Sequence, residues 1–369
     1  MLQEYFSDLT DVRQSGKVRH NLLEVVVMTI CAVIAGCDVW EDIVDFCRVK
    51  EKWFIESLNM KLENGIPSHD TMQRIWGMIL PEEFERSFRS WVASVCRPTS
   101  GEIISVDGKT IRGSADQQRH PIHLVSAWAH QQQLVLGQIA TDEKSNEITA
   151  VPSLLDTLDI AGCVITADAI SCQKEIARRI PEKGADYVLG LKDNQPTLRR
   201  ETQEYFNAAR EDRHLYPEIE NTQTSEKGHG RIEIRDYFLT KDLGWLGGRA
   251  QWSCLNGLGM VHATVTTRDK VTEERRFYIT SLTGVEQFAD AVRAHWGIEH
   301  SLHWCRDMTF REDYSRTRKD YSAENMAVVR HLALDILKQY PEKISLARKR
   351  RRCSYDDAFL ANVLRFVHA

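Results

Sequence analysis

Two short apolar runs, Ile103-Ile104-Ser105-Val106 and Val164-Ile165-Thr166-Ala167, each break off at an aspartate, Asp107 and Asp168. Runs of this length, rich in β-branched residues, favour extended strands, and Gly108 permits a tight exit after the first. A carboxylate at the end of a strand is held by the sheet while its oxygens face outward, as catalysis and metal binding require. Strand candidates at His123–Ala129 and Leu134–Ile139 follow the first run. Then come a helical face built from Ile148, Val151, Leu154, Leu155 and Leu158, the second run, a helix from Gln173 to Ile180, and a strand at Tyr187–Leu191. Three strands followed by helix, strand, helix and strand predict an α/β fold, a mixed sheet with helices against it.

The remainder of the chain predicts flanking parts. Residues 1–95 read as mainly helical: Leu22, Leu23, Val26, Val27, Ile30, Val33 and Ile34 are apolar around much of a cylinder, the mark of a buried helix. Two short helices meeting near Pro81 admit a helix-turn-helix DNA reader or a packed pair. Residues 198–281 interrupt the α/β cadence with strand-like runs near 232–234, 260–265 and 277–279, and so predict a β-containing insertion. Residues 284–338 return to helical spacing. They end the central region at 96–338, and 339–369 form a basic extension. Its run from Arg348 to Arg352 is equally explained as a solvated charge cluster and is left outside the site.

Composition narrows the function classes. With 42% hydrophobic and 27% charged residues the chain is an ordinary globular protein, and its net charge of -5 gives no global attraction to nucleic acid. DNA binding would need locally segregated positive charge. The nine cysteines include no Cys-x-x-Cys pair, which argues against a disulfide framework or a cysteine-rich zinc site. Val25 to Cys37, the longest strongly apolar stretch, is too short to span a bilayer and lacks a basic leader, so the expected compartment is the cytoplasm, with no membrane partner.

The third acidic candidate lies on the segment His295-Trp296-Gly297-Ile298-Glu299-His300-Ser301-Leu302-His303-Trp304. On an uninterrupted helix from 295 to 306, Ile298, Leu302 and Cys305 share one face, while His295, Glu299, His303 and Arg306 share another. Asp107, Asp168 and Glu299 brought together at one sheet edge would make a two-metal phosphoryl-transfer site, with oxygen donors that favour Mg²⁺, or Mn²⁺ as a substitute. Taken singly, a strand-end aspartate usually reads as a turn or capping residue. The histidine pair also reads as a zinc ligand set or a plain surface pair. Lys109, Arg112, Arg306, Arg316 and Arg318 are candidate phosphate contacts, His295 and His303 candidate orienting or phosphate-contacting groups, and His229 and Arg231 candidates within the insertion.

The ordered set Asp107-Gly108-Lys109-Thr110-Ile111-Arg112-Gly113-Ser114, Glu143-Lys144-Ser145-Asn146-Glu147-Ile148, Thr166-Ala167-Asp168-Ala169, Asp186-Tyr187-Val188-Leu189 and Trp296 to Trp304 resembles the H repeat-associated family of insertion-sequence DDE transposases. The similarity spans about residues 10–340. It implies an RNase H-like catalytic core with an insertion before the last acid, and a DDE triad at Asp107, Asp168 and Glu299 holding two divalent ions. It further implies action on double-stranded DNA: cleavage at terminal inverted repeats, then strand transfer of the 3′ hydroxyl into target DNA by a homo-oligomer at the bacterial nucleoid. The pattern continues through Asp307, Glu312-Asp313, Arg316, Arg318 and Asn325. Where many members carry Met-Gly after the second Asp-Ala, this chain has Ile170-Ser171. The signature of a neighbouring group that forms hairpins is not met, so that chemistry is not transferred. A structure-specific nuclease and an inactive DNA-binding or scaffold protein derived from a transposase are the alternatives.

Overall fold

The computed structural model describes residues 2–96, 98–115, 120–141, 147–228 and 230–366. The chain begins with helices α1 (Leu2–Phe6), α2 (Leu22–Ile34), α3 (Trp40–Val49), α4 (Glu51–Leu58), α5 (His69–Trp76) and α6 (Pro81–Val95). Strands β1 (Ile103–Thr110), β2 (His123–Ala129) and β3 (Leu134–Thr141) follow, then α7 (Glu147–Asp156), β4 (Val164–Ala167), α8 (Lys174–Glu182), β5 (Asp186–Leu191) and α9 (Pro196–Glu211). Next come β6 (Glu220–Gly228), β7 (Arg231–Thr240), β8 (Gly257–Thr266), β9 (Val271–Thr280) and α10 (Val285–Ile298). A π-turn at Glu299–His303 leads to α11 (Trp304–Met308), α12 (Ser322–Gln339), α13 (Leu346–Tyr355) and α14 (Asp357–Phe366).

Hydrogen bonding orders the strands β3-β2-β1-β4-β5-β9-β8-β7-β6. An antiparallel β2–β3 pair ahead of parallel β1, β4 and β5 makes this mixed α/β fold an RNase H-like core. The chain divides into two compact units, one of Met1–Arg97, Gly108–Asn146 and Glu299–Ala369, the other of Pro98–Asp107 and Glu147–Ile298. These units cut across the sequence divisions at 95 and 338, because distant stretches of chain share each core.

In the first unit α2 is buried from Val25 to Ile34, as its all-round apolar pattern predicts. Asn21 caps it by accepting the Glu24 N–H at 3.2 Å. Trp76 Nε1 on α5 donates to Thr29 Oγ1 at 2.9 Å, giving the buried indole its partner. On α6, Phe84, Phe88, Trp91 and Val92 are buried, and the helix packs on α1, β3 and α12. The packing alternative therefore accounts for this face of the pair near Pro81. α12 is buried almost throughout, with Asp335 accepting the Val135 N–H at 3.0 Å and Asn325 Nδ2 donating to the Trp76 and Ile79 carbonyls at 3.0 and 2.9 Å.

The basic run is solvated only in part, at exposed Arg348 and Arg351. Lys349 and Arg350 are buried; Lys349 Nζ donates to Leu337 O at 2.7 Å, and Arg350 binds Val33 O at 3.2 and 2.9 Å and Asp38 at 2.6 Å. Both satisfy carbonyls at the end of a helix, where a helix has none of its own N–H groups to offer.

In the second unit β1, β4 and β5 pair in parallel, and β9 joins antiparallel to β5. Within the 198–281 stretch, β9, β8, β7 and β6 extend the same sheet as an antiparallel meander. The sequence reading missed β6, whose Glu220–Gly228 run contains no apolar residue because it is the outer edge of the sheet and alternates between half-buried and exposed positions. Helix α10 lies on this sheet through Phe288, packed against Tyr237 and Tyr278. Gly259 makes room for the ring, since a Cβ there would sit 2.2 Å from Phe288 Cζ. All nine cysteines are free, and among the described residues no helix is long and apolar enough to cross a membrane.

Candidate active site

Within the second unit the register pairs Val106 with Ala167 across parallel strands. Asp107 and Asp168 are the next residue on each, so the two aspartates stand side by side, one strand spacing apart, roughly 5 Å between backbones. Asp168 follows the end of β4, but β1 runs on through Asp107 and Gly108 to Thr110, so the strand exit predicted at Gly108 does not occur. Both are half-buried. Side chains two residues apart on a strand share a face, which places Ser105 below Asp107. Thr166 lies below Asp168 in the same way. Thr166 Oγ1 bonds Ser105 Oγ at 3.0 Å and His295 Nδ1 at 3.1 Å. His295 sits on the last turn of α10, so this polar chain anchors the end of that helix over the face that carries the aspartates. His295, a candidate orienting group in the sequence, holds the helix to β4.

The turn after Asp168 is braced from β5. Asp168 Oδ1 accepts the Ile170 and Ser171 N–H groups at 3.0 and 3.4 Å. Asn194 Nδ2 donates to Ala169 O at 2.5 Å and Cys172 O at 3.4 Å, and Gln195 Nε2 to Cys172 O at 3.0 Å. Gly190 lets the strand approach: a Cβ there would lie 3.2 Å from Ala169 N and 3.5 Å from the Asp168 carbonyl carbon. Ile170-Ser171, in place of the common Met-Gly, supplies both amides that hold Asp168. Burial and then the Asp168 charge push the Cys172 thiol up to about 12, so this neighbouring cysteine is no nucleophile at neutral pH.

Glu299 opens the π-turn in the first unit. It is exposed, and its Oε2 lies 3.4 Å from Nδ1 of the buried His303. The sequence predicted an uninterrupted helix with Arg306 on the same face. The wider π-turn adds about one residue to the turn and rotates the helix beyond it, so Arg306 points inward with no exposed surface. Instead of facing a phosphate, Arg306 Nη2 contacts Glu312 Oε2 at 2.6 Å. Lys109 is corrected likewise: its Nζ pairs with Asp307, and lies 3.5 Å from Glu312 Oε2.

Of the other basic candidates, Arg112, Arg316 and Arg318 lie on two segments of the first unit that touch one another. Arg112 is exposed and 3.8 Å from Asp313 Oδ2, Arg316 is exposed, and half-buried Arg318 donates from Nε to Gly113 O at 2.9 Å. In the second unit Arg231, at the start of β7, lies 3.7 Å from Glu233. His229 and the Glu143–Asn146 motif lie outside the described residues. Sequence reasoning missed Ser105, Thr166, Gly190, Asn194 and Gln195, which look like ordinary strand and turn residues. It found Glu312 only as part of a motif.

Residues 98–336 match the family model described as Transposase DDE domain, and residues 3–92 match the one described as DDE_Tnp_1-associated. The H repeat-associated putative transposase YhhI of Escherichia coli (strain K12) is 39% identical over 98% of this chain and 97% of its own length. The chain belongs to the H repeat-associated DDE transposases. The Putative transposase YncI of Escherichia coli O157:H7 is 37% identical over 98% of this chain and 94% of its own. A piggyBac transposase in a synaptic complex with hairpin DNA aligns at a TM-score of 0.42 and 10% identity, over 99% of this chain and 79% of that one. Family membership rests on the sequence matches. The protein is thus a DNA transposase, and its paired aspartates on neighbouring parallel strands fit the divalent metal use that this family implies: hard oxygen donors held by a sheet, the chemistry that Mg²⁺ prefers over nitrogen or sulfur sets.

Proposed function

We propose that this transposase cuts phosphodiester bonds at the terminal inverted repeats of an insertion sequence and joins the exposed 3′ hydroxyl to target DNA. The observation that carries the reading is the placement of Asp107 and Asp168 side by side on parallel strands, with α10 anchored by His295 above the same face. Glu299 follows the end of that helix directly and is the third acid. Asp107, Asp168 and Glu299 would hold two Mg²⁺ or Mn²⁺ ions. Bound there, the ions supply positive charge to the scissile phosphate and lower the pKa of the attacking hydroxyl or water.

The chain's own residues set the rest. The backbone amides of Ile170 and Ser171 hold one Asp168 oxygen, fixing the rotation of that carboxylate. The Ser105-Thr166-His295 chain holds the helix end that leads to Glu299. Among the described candidates, exposed Arg112, Arg316 and Arg231 are available to the DNA backbone, where they position the duplex without reading bases. Bringing two element ends together calls for a second copy of the chain.

The test uses full-length protein, Mg²⁺, a duplex carrying an element end and a second, target duplex. Cleavage followed by covalent joining is expected, and Asp107→Asn, Asp168→Asn and Glu299→Gln should each abolish both while leaving DNA binding in place. Cleavage without joining would indicate a structure-specific nuclease. Binding without cleavage would indicate a scaffold, and near-normal cutting by Asp107→Asn would sink the triad.

A further inference from the structure

Glu312 has no exposed surface, yet it faces three cations in the first unit. Its Oε2 lies 2.6 Å from Arg306 Nη2 and 3.5 Å from Lys109 Nζ, and its Oε1 lies 3.7 Å from Arg330 Nη1. Burial alone would raise its pKa; the charges of Arg306, Arg330 and Lys109 outweigh burial and bring it down to about 2, so it is ionised. His331, fully buried nearby and held neutral by burial and then by Arg306, adds no further charge.

The same region is fastened along its length. Asp313 Oδ1 accepts the Arg112 N–H at 3.3 Å, and Arg318 bonds Gly113 O at 2.9 Å. A Cβ on Gly113 would come 2.1 Å from Ser315 O, so only glycine allows the two backbones to lie so close. One strap is the stretch 109–114, which leaves Asp107. The other is 306–318, which follows Glu299.

Burying three ionised side chains and half-burying a fourth is a poor way to gain stability, because desolvation offsets most of the attraction and a hydrophobic cluster of equal volume often does as well. What this ion set provides is definite geometry, since one carboxylate, Glu312, is held by three cations that come from different stretches of the chain. We propose that Glu312 is a positioning residue for the metal-binding carboxylates: through Lys109 and Arg306 it ties the segment leaving Asp107 to the segment following Glu299, and so sets where the first and third acids stand. The inference rests on the catalytic reading of the acidic triad.

The experiment measures Mn²⁺ binding to the full chain by calorimetry, without DNA, alongside the urea unfolding midpoint and the Mn²⁺ concentration needed for half-maximal cleavage. Glu312→Gln keeps the side-chain shape and removes the charge. It should weaken Mn²⁺ binding about 10- to 100-fold, the range seen when groups that orient metal ligands are removed, and raise the half-saturating Mn²⁺ in parallel. Lys109→Met should do the same, and Lys109→Arg should recover much of the loss. If Glu312→Gln does not fold, the Lys109 pair carries the test, since that side chain sits at the margin of the cluster. A lower unfolding midpoint with unchanged Mn²⁺ affinity in the folded variants would overturn the proposal. Asp107→Asn, run in parallel, separates the two ideas: loss of binding there with none in the Glu312 and Lys109 variants defeats the positioning role alone, and intact binding in Asp107→Asn defeats the triad beneath it.

Discussion

Thr166 Oγ1 stands between Ser105 Oγ at 3.0 Å and His295 Nδ1 at 3.1 Å, joining two strands and the end of a helix through one buried hydroxyl. Val would fill the same volume without either bond. Thr166→Val should cost about 1–3 kcal/mol, because it leaves buried partners unsatisfied. It should also lower end cleavage by more than its folded fraction explains, since α10 loses its fastening near the acids. Urea unfolding and a cleavage time course on the folded protein read the two effects separately; equal loss in both would mean the hydroxyl serves stability alone.

Gly190 has a different sensitivity. A methyl group 3.2 Å from Ala169 N forces a shift of a few tenths of an ångström in the turn that carries Asp168. Gly190→Ala should leave stability within about 1 kcal/mol while cutting cleavage roughly tenfold, as small misplacements of reacting groups are costly. Wild-type cleavage rates in this variant would show that the turn yields without moving the carboxylate.

Arg306 tests the buried ion set directly. Arg306→Met removes one cation and leaves Glu312 with less compensation in a site that water does not reach. Loss of about 3–5 kcal/mol is expected for a buried pair broken on one side. Replacing Arg306 and Glu312 together by apolar residues should recover part of it, although Arg330 and Lys109 then lack their carboxylate. Denaturant midpoints for the two single variants and the double variant give the coupling.

Glu85 predicts a pH effect in the first unit. Burial raises its carboxyl to about 8 from 4.5, against the lowering effects of the Gln138 N–H and of Arg89. A folded pKa above the unfolded one means that folding takes up a proton, so the stabilisation is full below the unfolded value and is lost as pH rises through about 8. Wild-type stability should therefore fall between about pH 4.5 and 8 and level off above that, with a slope from this one proton of at most about 1.4 kcal/mol per pH unit. Glu85→Gln keeps an acceptor for the Gln138 N–H and should show a flatter profile, ending more stable than wild type at the alkaline end. Parallel profiles would show that Glu85 is already ionised at neutral pH.

What the amino-acid order determines by itself is local. Apolar runs of four residues before Asp107 and Asp168 specify strands, and the apolar residues of Leu22–Ile34 specify a helix buried on all sides, because both patterns depend on neighbours along the chain; the strand end expected at Asp107 is not there, since β1 continues to Thr110. The ordered motifs likewise carry family membership, and with it the RNase H-like core. Tertiary structure decided what long-range contact must decide. The register of Val106 with Ala167 makes the two aspartates neighbours, β9 on β5 joins the strands of the 198–281 stretch to the sheet, and a π-turn swings Arg306 from an expected DNA contact into the core. Arg306 and Arg350 look like any surface arginine in the sequence. Only the packing around them shows that their charges are used inside, on Glu312 and on the carbonyl of Val33, since the partner of a charge is set by distance in space and not by distance along the chain.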